Sequence, residues 1–164
     1  MTTGMRPGNH RWGRVKHRGG NFDGSVLHPR RGGRRFERRC TAALPPQDTQ
    51  LAITRTGILC EAPYEIVAHK RIGKNVGVTD EQNEALENWH AASCFDDTQR
   101  AALAFTDEIV RLNKPTDATF KAIALRLAPA ALVELQLSVG FYIMTSKFLE
   151  TFEIDLQPVT EVVG

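Results

Sequence analysis

The chain is expected to fold as an all-α domain of about six helices, and three observations point there. After residue 45 helix punctuation recurs: prolines at first turns (Pro63, Pro129), Gly77 as a stop, Thr79 with Gln82 as a capping box. Between those marks, apolar residues return at helical spacing. No segment between them has the polar–apolar alternation of a strand ladder.

Taken in order, Pro45-Pro46 closes the leading segment, and Asp48 is placed to cap a first helix running to about Cys60. That helix is apolar nearly all round (Leu51, Ala52, Ile53, Gly57, Ile58, Leu59, Cys60), which predicts burial. A second helix spans about Pro63–Val76, and the Thr79/Gln82 box opens a third to about His90. Asp96 or Asp97 opens a fourth to about Leu112, with Leu103, Phe105, Ile109 and Val110 as core candidates. Pro115-Thr116 starts a shorter one to Leu127. Pro129 then opens the longest, Ala130 to about Thr151. The long helix carries Leu132, Val133, Leu135, Leu137, Val139, Phe141, Ile143, Met144 and Phe148 on nearly every side. It is expected to be a central helix, a subunit interface, or both.

Charge divides the chain of 164 residues unevenly. Residues 1–40 hold ten Arg and one Lys against Asp23 and Glu37, a local charge of +9 within a total of +2. The remaining residues therefore carry −7, so nucleic-acid binding is not expected of them. The leading segment also has eight of the thirteen glycines and little apolar periodicity, so disorder is expected over residues 1–44. It reads as a basic arm, as an Arg-rich targeting peptide without the usual amphipathic pattern, or as a start foreign to the domain. The last reading is preferred, because an Arg/Gly/His/Pro-rich run is what a shifted frame of GC-rich DNA tends to yield. Peptides from Arg30 to Arg39 in the mature protein would contradict it. The domain is expected over residues 45–157, with a tail at 158–164.

No apolar run reaches the roughly 18 uncharged residues of a membrane span, and no signal-peptide core is present. The longest apolar stretch, Leu135 to Met144, is expected to be a core helix. Cys40, Cys60 and Cys94 have no metal-ligand spacing, and a reduced cytoplasmic setting is the default.

The residues that carry chemistry lie on the second helix. At about 100° per residue, Ala62, Glu65, Ile66, His69, Ile72, Gly73 and Val76 share one face. A titratable pair on an apolar face is either satisfied within the core or used. Arg55 falls among Leu51, Ile58 and Leu59, so its guanidinium needs a carboxylate or a ligand. Gln50 is within the same reach. Arg55, Glu65 and His69 are therefore expected to converge. Glu65 and His69 alone are too few for zinc, and His90 is the one further histidine of the domain, so no metal or other cofactor is expected.

The run LAITRTGILCEAPYEIVAHKRIGKNVGVTDEQ, Leu51 to Gln82, resembles the carboxymuconolactone decarboxylase family, which includes the AhpD-type alkylhydroperoxidases. The likeness extends over about Gln47 to Ile154, including the AALAFTDEIV stretch. It implies an all-α fold, homo-trimers or homo-hexamers, and a pocket at the subunit interface. It also implies Tyr64 as a pocket residue, although Tyr64 projects away from the Glu65/His69 side. The peroxidase branch carries a CxxC motif before the histidine and a relay glutamate before that. Counted back from His69, those cysteine positions are Glu65 and Ala62, and the relay position is Gln50. The dithiol is absent, which argues against the AhpD mechanism.

What remains is acid/base work on a small carboxylate or lactone, of decarboxylation or lactone-isomerisation type. His69 would move the proton, Glu65 would orient or share it, and Arg55 would hold an anionic oxygen. Two alternatives stand beside it: a peroxidase depending on Cys60, and a non-catalytic oligomeric binder. Tyr142 is expected to pack with its hydroxyl on a backbone carbonyl.

Overall fold

The computed structural model describes residues 44–154, and the expectations for the leading arm and the tail lie outside them. Within that span the helices are α1 Pro46–Leu59, α2 Pro63–Asn75, α3 Asp80–Ala85, α4 Asp97–Leu112, α5 Asp117–Ala124 and α6 Pro129–Thr151. The class is all-α, as expected.

Helix α1 is the axis, packing against α2, α4 and α6. One core gathers Ala52 of α1 with Phe105 and Ile109 of α4, Ile123 of α5, and Leu135 and Val139 of α6. The other gathers Leu51 with Val78, Leu86, Trp89, Phe95 and Leu103. A helix wedged between two cores must satisfy its polar groups internally. Thr54 and Thr56 do so by donating to the carbonyls of Gln50 and Ala52, each at 2.8 Å.

The expected punctuation is largely where the helices begin and end. Pro63 and Pro129 sit at first turns, and Gly77 follows α2 with φ 99°. Capping boxes are present at Thr79/Gln82 and at Asp96/Gln99. The two N3 glutamines also bond each other at 3.2 Å, and Gln99 reaches Asp48 on α1 at 3.2 Å. Asp48 is thus not the cap that was expected: the helix starts at Pro46, and Asp48 is buried in its first turn.

The third helix is shorter than expected, ending at Ala85 and continuing as a 3₁₀ turn, Leu86–Asn88. The cause is local. The Arg55 guanidinium takes the carbonyls of Leu86 and Glu87, at 2.8 and 3.1 Å, that a continuing α-helix would use itself.

The buried face of α2 is narrower than the wheel suggested. Ala62, Glu65, His69 and Gly73 are buried, whereas Ile72 and Val76 are each 38% exposed. On α6, Ala131, Leu135, Val139 and Ser146 face inward. Val133, Leu137, Phe141, Met144, Phe148 and Phe152 are all more than half exposed. At about 100° per residue those six fall within roughly a 100° arc, a continuous apolar stripe.

Candidate active site

Two helices build the site. Helix α1 contributes Gln50, and α2 contributes Glu65 and His69, one helical turn apart and on its buried face. Gln50 Oε1 lies 2.8 Å from His69 Nδ1, and Glu65 Oε2 lies 3.1 Å from His69 Nε2. Tyr142 of α6 closes the side, its ring edge-on to the imidazole with centroids 4.7 Å apart.

The partners decide where the protons sit. An amide oxygen only accepts, so Nδ1 carries hydrogen. A neutral imidazole then presents a lone pair at Nε2, which meets Glu65 favourably only if the carboxyl is protonated and donates. Moving that proton onto Nε2 gives a carboxylate and an imidazolium, with both hydrogen bonds kept. Burial raises Glu65 above the ordinary carboxylate value and lowers His69 below the ordinary imidazole value. The two values move towards each other. One proton therefore has two neighbouring homes, and a pair so coupled titrates as a unit. Burial, and then the charge of Glu65, raises the Tyr142 phenol, so its hydroxyl stays a neutral donor.

Gln50, Glu65 and His69 are thus brought together as the sequence suggested. Arg55 is not, and its expected convergence on the pair is corrected here. Its Nε and Nη2 bond the two carboxylate oxygens of Asp107 at 2.7 and 2.9 Å, and Nη1 takes the Leu86 and Glu87 carbonyls. Arg55 has found its carboxylate within α4, and the guanidinium is committed to the fold.

Tyr64 is half-buried on α2, beside the buried face rather than on it. Cys60 caps the C-terminal end of α1, half-buried rather than within a buried helix. Burial raises its thiol, against the charge of Lys147 and the hydroxyl of Ser146. Among the described residues no three His, Cys, Asp or Glu side chains gather as a metal site, and no helix is long and apolar enough to cross a membrane.

Sequence reasoning missed Asp107 and undervalued Tyr142. The signal for Asp107 was present: it sits near Leu103, Phe105 and Ile109 of α4, as Arg55 sits among apolar residues of α1. Two lone opposite charges on buried helix faces are each other's natural partner. For Tyr142 the wheel gave no direction, because α6 is apolar on every side.

Six helices around a buried amide–imidazole–carboxyl cluster define a small all-α protein of the AhpD-like fold. The model of the carboxymuconolactone decarboxylase family matches residues 33–108. A crystal structure from Agrobacterium tumefaciens, of a protein of unknown function described as a candidate antioxidant defence protein AhpD, has the same fold. It aligns with TM-score 0.65 and 13% identity, over 68% of this chain and 78% of that one. No curated protein matches the chain.

Proposed function

We propose that the protein is an acid/base catalyst acting on a small organic substrate, with the Glu65–His69 pair as proton carrier. The observation that carries this reading is the engagement of both ring nitrogens of His69, by Gln50 at 2.8 Å and Glu65 at 3.1 Å. It also refines the roles. With both nitrogens occupied, His69 is the proton store. Only Oε2 of Glu65 meets the ring, so the carboxyl is the group that exchanges a proton with substrate. The Tyr142 hydroxyl would donate to a developing oxyanion.

Between the two substrate classes, a lactone is favoured over a free carboxylate. The cation expected to hold a carboxylate, Arg55, is occupied by Asp107. A lactone needs no counter-charge, only a donor at its carbonyl and a base for its acidic C–H. Against the peroxidase alternative stand Ala62 and Glu65 at the two cysteine positions and the raised thiol of Cys60.

The test compares wild type, His69→Ala and Cys60→Ala on a panel of enol-lactones and carboxylates, and on hydroperoxide with a dithiol reductant. His69→Ala is expected to lower lactone turnover by about 10²–10⁴-fold, the usual worth of general acid/base catalysis. Cys60→Ala is expected to leave it unchanged. Hydroperoxide turnover lost with Cys60 would replace this reading by a one-cysteine peroxidase. Ligand binding without turnover, unchanged in His69→Ala, would make the protein a binder.

The reading includes assembly as a homo-trimer or homo-hexamer. The exposed α6 stripe from Val133 to Phe152 is the surface that a second copy would cover. A monomeric mass by light scattering at micromolar concentration would contradict it.

A further inference from the structure

We propose that Gly57 is a positioning residue for the site: its missing Cβ lets α2 lie close enough to α1 for His69 to keep its hydrogen bond to Gln50. This rests on the Glu65–His69 reading above and goes beyond it to what holds the pair in place. Gly57 is buried near the C-terminal end of α1. A Cβ built there would stand 3.1 Å from the Cβ of Glu65, 3.4 Å from the amide nitrogen of Ile66 and 3.5 Å from its Cγ1. The first contact is shorter than side chains normally tolerate, and it falls on the proton-carrying residue itself.

The connection is short, so the strain has nowhere else to go. Ala62 donates to the Gly57 carbonyl at 3.0 Å, and Ile66 donates to the Ala62 carbonyl at 3.1 Å. These bonds tie the first turn of α2 to the same residue that makes room for it. Glu61, between the helices, already sits at φ 54°, a conformation with little slack. The Cβ of Glu65 is fixed to the backbone and no side-chain rotation moves it, so crowding at 57 is relieved by α2 tilting off α1. A tilt disturbs the Gln50–Nδ1 bond, because that one crosses between the helices.

Gly73 supplies the matched control. A Cβ there would meet Val78 at 3.1 and 3.2 Å but Gln50 only at 3.6 Å, an ordinary contact. The two sites are equally tight, but the close contact of Gly73 is with Val78 after α2, and only Gly57 presses on a partner of His69. Gly140 on α6, with nothing within 4 Å, serves as the uncrowded control.

The experiment is ¹⁵N NMR of the His69 ring in wild type, Gly57→Ala, Gly73→Ala and Gly140→Ala. Wild type is expected to show one tautomer, protonated at Nδ1. Gly57→Ala is expected to lose that signature, with the two nitrogen shifts moving towards each other. Gly73→Ala is expected to lower the melting temperature while keeping the His69 signature, and Gly140→Ala to raise it and keep the same signature. Identical His69 shifts in wild type and Gly57→Ala would overturn the proposal, as would an equal change in Gly73→Ala. Should Gly57→Ala not fold, Gly57→Ala with Ile66→Ala removes the neighbouring Cγ1, which would stand at 3.5 Å, and keeps the contact with Glu65. A wild type with no tautomer preference would instead count against the site reading itself, so the two failures are distinguishable.

Discussion

Helix α1 carries two buried polar clusters, and they are built on opposite principles. Around Arg55, a guanidinium meets both oxygens of Asp107 and two backbone carbonyls, so a full charge is matched by a full charge. Around Gln50, an amide meets one face of an imidazole whose other nitrogen meets a carboxyl, so a single proton is shared between neutral forms. The first arrangement is closed: its hydrogen bonds hold α1 to α4 and to the turn after α3. The second is poised, because burial raises the acid and lowers the base. Both clusters are buried and polar, but only the second can change state cheaply. That difference separates an element of the fold from a candidate for chemistry.

Breaking the closed cluster should have the larger effect. Arg55→Ala leaves the Asp107 carboxylate with only a 3.4 Å contact to the Trp89 indole and frees two backbone carbonyls. A loss of about 3–5 kcal/mol in unfolding free energy is expected from denaturant titration. A loss below about 1 kcal/mol would mean that Arg55 is replaceable in the fold and available for a ligand after all.

The poised cluster should respond in the opposite direction. Glu65, with its folded value raised, favours the fold fully below its ordinary value of 4.5, and this contribution is lost as pH rises through the raised value. His69, with its folded value lowered, contributes fully above its ordinary value of 6.5 and loses this as pH falls below it. Between 4.5 and 6.5 the two slopes oppose each other. Glu65→Gln keeps a donor towards Nε2 and removes the first contribution's loss. The variant should therefore gain stability over wild type in denaturant titration as pH rises above 4.5. A variant less stable than wild type at neutral pH would mean that a carboxylate–imidazolium ion pair, not a shared proton, holds the site.

Much of the fold could be read from residues that act locally. Pro63, Gly77, Thr79 with Gln82, and Pro129 fix helix ends through their own backbone needs, so their effect does not depend on distant partners. Asp48 misled because its carboxylate competes between a cap and a remote donor, and Gln99 on α4 provides that donor. The break after Ala85 was invisible for the same reason, since its cause is a side chain on another helix. Within the site, Glu65 and His69 were legible because they share a helix, and periodicity measures intrahelical neighbours. Periodicity carries no information on which residue faces which across helices. Arg55 was therefore placed with the wrong carboxylate. Gly57 was read only as one more small residue on an apolar helix, its packing role being visible only with α2 in place.

The most direct test of the shared proton is a pH titration of the His69 ring nitrogens by ¹⁵N NMR in the wild-type protein. The account predicts a neutral imidazole protonated at Nδ1, with imidazolium forming only below the ordinary value of 6.5. A midpoint at or above that value, or a neutral ring protonated at Nε2, would contradict it.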